Sequence, residues 1–463
     1  MADDQPQPRQ PTPTAPALSA RTRRILEGPV APTLLRLALP NLGEAAARIA
    51  FISFDAVFVG WIGTDALAGV SLAFPFFLLM QMTSASGLGA GVNGAVARAM
   101  GAGRRDDAAA IAWHAVLLAL AIGGVFTLLM LAGGPWLYAA LGATGGGLAA
   151  AVTYSAIVFG GVVAVWLMNL MANIVRGTGN MLVPATAIMA GEAVHLALSP
   201  TLILGLGPVP QMGVAGAALA VVASYATGAM VLAWHLLSGR GEIRLAAARP
   251  EHRHFAAILG VGVPAALNVV QAQATMIVAT GYAAAFGTVA LAGYGAAARL
   301  DLLQIPLTFA MGSAVIAMVA TSVGAGRLDR ARRVAWTGAG LGVLIGAIFA
   351  AVAVFLPEGW MGLFSDDPAA IAAGADYLRR VGPSYPVLGL GLGLFFSLLG
   401  LGRAKAPFLA GTLRLAVVAL GGWAAIHWLG GDLRMLALVI AAAALAFTLA
   451  MLAVAAATRE LRR

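Results

Sequence analysis

The sequence contains no cysteine. Disulfides, thiolate metal sites and cysteine nucleophiles are therefore excluded. Charge is scarce as well: Asp, Glu, Lys and Arg together make up 10% of the 463 residues, against about 25% in soluble domains. Hydrophobic residues make up 60%, and the mean hydropathy is +0.90. The deficit of charge is not local, because long apolar runs follow one another from about residue 33 to 459. Runs of roughly 20 apolar residues read as membrane-spanning helices. The 58 glycines, and the prolines inside the runs, agree with that reading, since both are commoner in membrane helices than in soluble ones.

An apolar targeting segment is missing from the start. Residues 1–24, "MADDQPQPRQPTPTAPALSARTRR", are rich in Pro, Gln and Thr and do not have the pattern of a signal peptide. A disordered cytoplasmic tail is expected over 1–30. Catalytic signatures are missing too. No Walker-type P-loop is present, and "GLGAGVNG", Gly87–Gly94, lies in an expected membrane helix with no strand before it. A nucleotide fingerprint needs that strand. Metal-ligand spacing is absent, so neither an enzyme nor a bound cofactor is expected.

Turn and charge clusters divide the chain into about twelve spans of membrane-crossing length: 33–59, 66–98, 108–134, 148–175, 180–205, 213–238, 253–284, 290–322, 330–356, 368–399, 404–430 and 432–458. Most of the 28 Lys and Arg then fall on the side of the N-terminus, with only Arg379, Arg380 and Arg434 on the other. By the positive-inside rule both termini are cytoplasmic and the protein sits in a plasma (bacterial inner) membrane. The net charge of +9 is thus loop charge that sets topology, and no nucleic-acid partner is expected.

The two halves repeat. "GAGRRDDAAAIAW" from Gly101 matches "GAGRLDRARRVAW" from Gly324, a shift of 324 − 101 = 223. The same shift takes Tyr154 to Tyr377, Gly179 to Gly402 and Pro184 to Pro407; earlier in the chain Pro40 pairs with Pro264 and "GTDALAG" with "GTVALAG". The expected fold is an all-α polytopic membrane protein: a six-helix bundle over 31–238, a cytoplasmic linker over 239–252 and a second six-helix bundle over 253–459. Six spans per half give both halves one orientation, so the pseudo-two-fold axis runs along the membrane normal. Two packed bundles with a central cleft are the architecture of a secondary transporter that alternates access.

Four carboxylates fall inside spans away from the polar clusters that bound them: Glu44, Asp55, Glu192 and Asp301. Each costs on the order of 2.5–3.5 kcal/mol at a helix centre, which makes each a functional candidate. Glu44, Arg48 and Asp55 share one stripe of the first span, about 16 Å long. Glu44 and Arg48 can pair with each other, while Asp55 has no partner within its own helix. A desolvated carboxylate favours its protonated form, which suits a group that takes up and releases a proton; a buried, hydrogen-bonded acid is the other reading. In the fifth span Glu192, His195 and Ser199 lie on one face, either as part of one site with Asp55 or as a structural group. In the eighth, Asp301 and Gln304 share a face, as a substrate contact or an internal polar bridge. Arg414 in the eleventh span is a candidate partner for a carboxylate. Asn268, Gln271 and Gln273 line the seventh less regularly. Asn169 and Asn173 in the fourth read as helix-packing hydrogen bonds.

These features together resemble the multidrug and toxic compound extrusion (MATE) family. The motifs are "GAGR" after the second and eighth spans, "RGTGN" after the fourth, "LGLGRAKAP" after the tenth and "MGVAGAALA" opening the sixth. The resemblance covers nearly all of residues 30–455. The spacing from Pro40 to Asp55 is similar to that of the prokaryotic branch that includes the DinF-type proteins. It implies that Asp55 couples export of small organic, often cationic, compounds to entry of H⁺ or Na⁺, with Asp55, Glu192, His195 and Ser199 as the cation-coupling group. A substrate cavity is expected from Glu44, Arg48, Gln271, Asp301, Gln304 and Arg414. The chain departs from the family where an Asn and an Asp or Asn are common in the fifth span, having His195 and Ser199, and where a Thr is common in the sixth, having Val221. It also has Gln271 and Gln273 where the NorM-like branch has a Glu. Fewer oxygen ligands favour H⁺ over Na⁺ at Asp55. The expected partners are the substrate, the ion and the bilayer, and the expected working unit is a monomer. The alternative is a flippase of lipid-linked intermediates from the same superfamily.

Overall fold

The computed structural model describes residues 18–462 and, within them, the side chains of all but 49–57 and 302. Every regular element among the described residues is helical. The first lobe comprises α2 (Val30–Gly60), α3 (Thr64–Gly101), α4 (Arg105–Ala140), the broken pair α5 (Gly145–Gly160) and α6 (Val162–Gly177), α7 (Leu182–Leu204) and α8 (Gly213–Leu237). The second comprises α9 (His252–Ala285), α10 (Thr288–Gly324), α11 (Leu328–Phe355), the short α12 (Pro357–Met361), α13 (Pro368–Gly400), α14 (Lys405–His427) and α15 (Leu433–Ala457). A short helix, α1 (Ala20–Glu27), precedes the first lobe. Large apolar side chains point outward from both lobes, including Leu128 (70% exposed), Trp136 (75%), Ile277 (70%) and Leu420 (69%). Exposed apolar area on this scale calls for lipid rather than water.

Two expectations are corrected. Of the tail expected to be disordered over 1–30, residues 1–17 lie outside the described residues, and Ala20–Glu27 is helical. Ser19 caps that helix by accepting from the Thr22 N–H, and Ile25 and Leu26 are each only 2% exposed. The fourth span, expected as one helix over 148–175, breaks at Gly160 and Gly161 and bends by 46°. The break lies against α8, where the Val222 side chain crowds Gly161.

The repeat extends to backbone conformation. Gly103 and Gly326 have φ of +73° and +70°, and Gly179 and Gly402 have +79° and +81°. Only glycine adopts this region without strain, so the repeated "GAGR" and "GTGN"/"GLGR" turns are fixed by the same residue type. The glycines of "GLGAGVNG" serve packing. Gly87 and Gly91 of α3 lie against the Ala266 and Ile258 backbone of α9, across the lobes. Residues Thr83–Leu88, which include Gly87, form a π-helical turn. Two asparagines of α6 hold this turn from the side. Asn169 reaches the Ser84 hydroxyl at 2.7 Å, and Asn173 reaches the Ala85 carbonyl at 3.0 Å.

The lobes are sealed at the face that carries both chain ends. Asn41 Nδ2 donates to Ala310 O at 3.1 Å, Asn93 Nδ2 to Ser313 O at 3.2 Å and Arg98 Nη1 to Gly400 O at 3.2 Å. At the opposite face no hydrogen bond or ion pair joins the lobes among the described residues. There the sparse cations pair within the second lobe: Arg434 with Asp376 at 2.9 Å, Arg380 with Asp376 at 3.2 Å, and Arg379 with Glu358.

Candidate functional site

The first lobe holds a cluster of charges around α2. Glu44 and Arg48 are one turn apart, and their charged groups lie 3.6 Å apart. The stronger partner of Glu44 is Arg176 at the end of α6, with Nη2 to Oε2 at 2.6 Å and both side chains largely buried. Arg176 therefore serves as an internal counter-ion. Arg48 also donates to the Tyr225 hydroxyl of α8 at 3.4 Å, and Phe77 packs edge-on against that ring at 5.8 Å. Glu192 of α7 lies within electrostatic reach of Arg48 and Tyr225. His195 and Ser199 follow on α7, 1% and 0% exposed. The close seat of α7 on α8 depends on Gly191, which rests against Ser224. Asp55 belongs to α2, beyond Arg48; its side chain is outside the described residues.

The second lobe surrounds a cavity with about 1610 Å³ of empty space, including the part open to solvent. Four of the six residues expected at the substrate cavity line it, Gln271, Asp301, Gln304 and Arg414, together with Asn268 and Gln273 of α9. Glu44 and Arg48 do not, since both belong to the buried cluster of the first lobe. Gln271 donates to the Thr412 hydroxyl at 2.7 Å, fixing α9 against α14. Asp301 and Arg414 influence each other electrostatically but form no ion pair within 4 Å among the described residues. The pair expected between Arg414 and a carboxylate is thus an electrostatic pairing without direct contact among the described residues. Gln304 is 5% exposed, and its Nε2 has no hydrogen-bond partner among the described residues.

The sequence reading did not select the aromatic wall. Tyr294 and Tyr377 meet edge-on at 5.4 Å, Phe309 and Phe396 at 5.3 Å, and all four line the cavity. Tyr385 adds a buried hydroxyl. The usable signal was Tyr within apolar spans, because a buried Tyr hydroxyl needs a polar neighbour. Met82 and Ser86 of α3 close the cavity from the first lobe, so it lies along the cleft. No cluster of His, Asp and Glu suited to a metal occurs among the described residues.

Repeated helical lobes sealed at one face, with a cavity of opposite charges and aromatic rings along their cleft, define a polytopic membrane transport protein. A family model, MatE, matches residues 49–201 and 264–422, most of both lobes. The chain belongs to the MatE family, and is a secondary transporter rather than an enzyme. Among curated proteins it is similar to the FAD transporter of Shewanella oneidensis, at 27% identity over 377 residues, covering 79% of this chain and 81% of that one. It is similar also to the multidrug resistance protein NorM of Burkholderia vietnamiensis, at 28% identity over 411 residues, covering 85% and 86%. In fold it matches a MOP superfamily transporter from Pyrococcus furiosus, with a TM-score of 0.87 at 22% identity, covering 94% and 97% of the two chains.

Proposed function

We propose that the protein exports small organic compounds in exchange for H⁺, with Na⁺ as the second candidate ion, and that it belongs to the DinF-like branch of its family. The observation that carries this reading is the cavity along the cleft. It combines Asp301, Arg414 and three glutamines, Gln271, Gln273 and Gln304, with a wall of tyrosine and phenylalanine. Cavities of that kind bind amphipathic organic molecules through apolar area, with a few polar groups for orientation. Asp55 is the coupling acid in this reading, with Glu192, His195 and Ser199 as its surroundings. Both termini are cytoplasmic, as the basic loops favour. The sealed face is then the cytoplasmic one and the state is outward-open. One chain carries both lobes, so a monomer suffices for the cycle.

Arg414 in the cavity favours a second reading of the cargo, an aromatic compound that bears an acid. The name of the Shewanella relative agrees with it. Proteoliposome flux separates these readings. An imposed proton gradient in sodium-free buffer is expected to drive export of a cationic dye. Transport of a flavin nucleotide instead would favour the second cargo. A strict need for Na⁺ with indifference to the proton gradient would contradict the reading of α7.

A further inference from the structure

The segment α1 spans the sealed face and touches both lobes. Towards the first lobe, Ile25 packs its Cδ1 against Gly179, and Arg21 Nη1 lies 3.9 Å from Glu242 Oε1. Towards the second lobe, three α1-side carbonyls accept from arginines of α11 and the turn before it. Arg330 Nε donates to Ile25 O at 2.6 Å and Nη2 to Gly28 O at 2.7 Å, while Arg327 Nη1 donates to Leu26 O at 3.2 Å. A strap this short, held on both sides, resists separation of the lobes at this face.

Beside the strap lies a second cavity, with about 930 Å³ of empty space including its open part. Its polar lining is Arg21, Arg24, Asn180, His235, Arg240 and Glu242. Three guanidinium groups thus face one carboxylate. Arg21 already serves Glu242, and neither Arg24 nor Arg240 has a carboxylate within 4 Å among the described residues. Arg240 instead lies over the ring of Trp234 at 4.6 Å. Trp234 is 56% exposed and Leu237, one turn on, is 55% exposed. Trp beside a basic pocket marks the level of lipid headgroups. Basic pockets between membrane helices at this level suit anionic headgroups, and guanidinium groups match phosphate oxygens with paired donors.

We propose that this pocket is a phosphate-anion site, filled by the headgroup of an anionic phospholipid or by free phosphate, and that its occupant ties α1 to the loop after α8. Arg24 belongs to the strap and Arg240 to the loop after α8, so one bound anion neutralises both and fastens the strap. Occupancy stabilises the state sealed at this face. The site is separate from the substrate cavity and shares no residue with it.

The test uses the full-length protein in neutral detergent, with short-chain phosphatidylglycerol, inorganic phosphate and phosphatidylcholine as probes. The thermal midpoint and the rate of tryptic cleavage within α1 are read for each. Saturating anion is expected to raise the midpoint by on the order of 5 °C and to slow cleavage, with phosphatidylcholine inactive. The double variant Arg24→Gln/Arg240→Gln is expected to lose both effects. Arg24→Lys/Arg240→Lys, which keeps the charge, is expected to retain a smaller shift and serves if the glutamine pair folds poorly. A response to phosphatidylglycerol alone assigns a lipid, and a response to inorganic phosphate assigns the free anion. No response to either, or an equal response in the glutamine variant, overturns the proposal.

Discussion

Gly101 of α3 and Gly324 of α10 are repeat-related residues, and each packs against the other's helix. A Cβ on Gly101 would strike the Thr321 carbonyl, and a Cβ on Gly324 would strike the Arg98 carbonyl. The seal between the lobes is thus built from a symmetric pair of backbone-to-backbone contacts, possible only without side chains. Asn93 and Ser313, farther up the same two helices, add a polar clasp at 3.3 Å.

Alanine at Gly101 or Gly324 must push α3 and α10 apart, at a cost of about 1–3 kcal/mol for an overpacked contact. We expect a lowered thermal midpoint and an opened seam. A reporter cysteine at Ser322, fully buried in α10, should then react with maleimide at least about tenfold faster, the factor that 1.4 kcal/mol of opening supplies. Gly124→Ala is the control, since nothing lies within 4 Å of a Cβ there. Equal reactivity in all the proteins would mean that the glycine contacts do not hold the seam.

Glu44→Ala leaves Arg176 and Arg48 without their carboxylate. Removal of one member of a buried pair costs about 3–5 kcal/mol. A marked fall in thermal midpoint is expected. The double variant Glu44→Gln/Arg176→Gln should recover part of it, because no lone charge remains at that contact. A double variant less stable than Glu44→Ala would show that the pair's worth is not chiefly charge compensation.

The chain has no cysteine of its own, so a pair can be installed without background. Asn93→Cys with Ser313→Cys should link α3 to α10 and hold the seal shut. Transport is expected to stop on oxidation and return on reduction. Undiminished flux with the link complete would rule out separation of the lobes at this face.

Much of this architecture was legible because membrane helices announce themselves by length and hydropathy, and because the repeat is written in glycines that only one conformation explains. Gly103 with Gly326 and Gly179 with Gly402 were matched by sequence and proved to share their φ values. The break at Gly160 was not legible, because two glycines in an apolar run do not say whether the helix bends. The helical state of α1 was hidden by its polar flanks; its stability comes from burial of Ile25 and Leu26 against distant residues. The pairing of Arg176 was not legible, because linear position near a loop does not reveal a counter-ion 132 residues away. The charges were the most visible part of the second-lobe cavity. The rings that give it its apolar wall were lost among the 18 Phe and 7 Tyr of an apolar chain.

In the proposed cycle a carboxylate in α2, Asp55, couples ion entry to export. The most direct measurement compares wild type with Asp55→Asn in proteoliposomes, with dye export driven by a proton gradient in sodium-free buffer and the thermal midpoint recorded on the same samples. Asp55→Asn is expected to fold and insert normally, with its midpoint within a few degrees of wild type, and to lose gradient-driven export by at least about a hundredfold, equivalent to roughly 2.7 kcal/mol. Wild-type export by a well-folded Asp55→Asn protein would contradict this coupling.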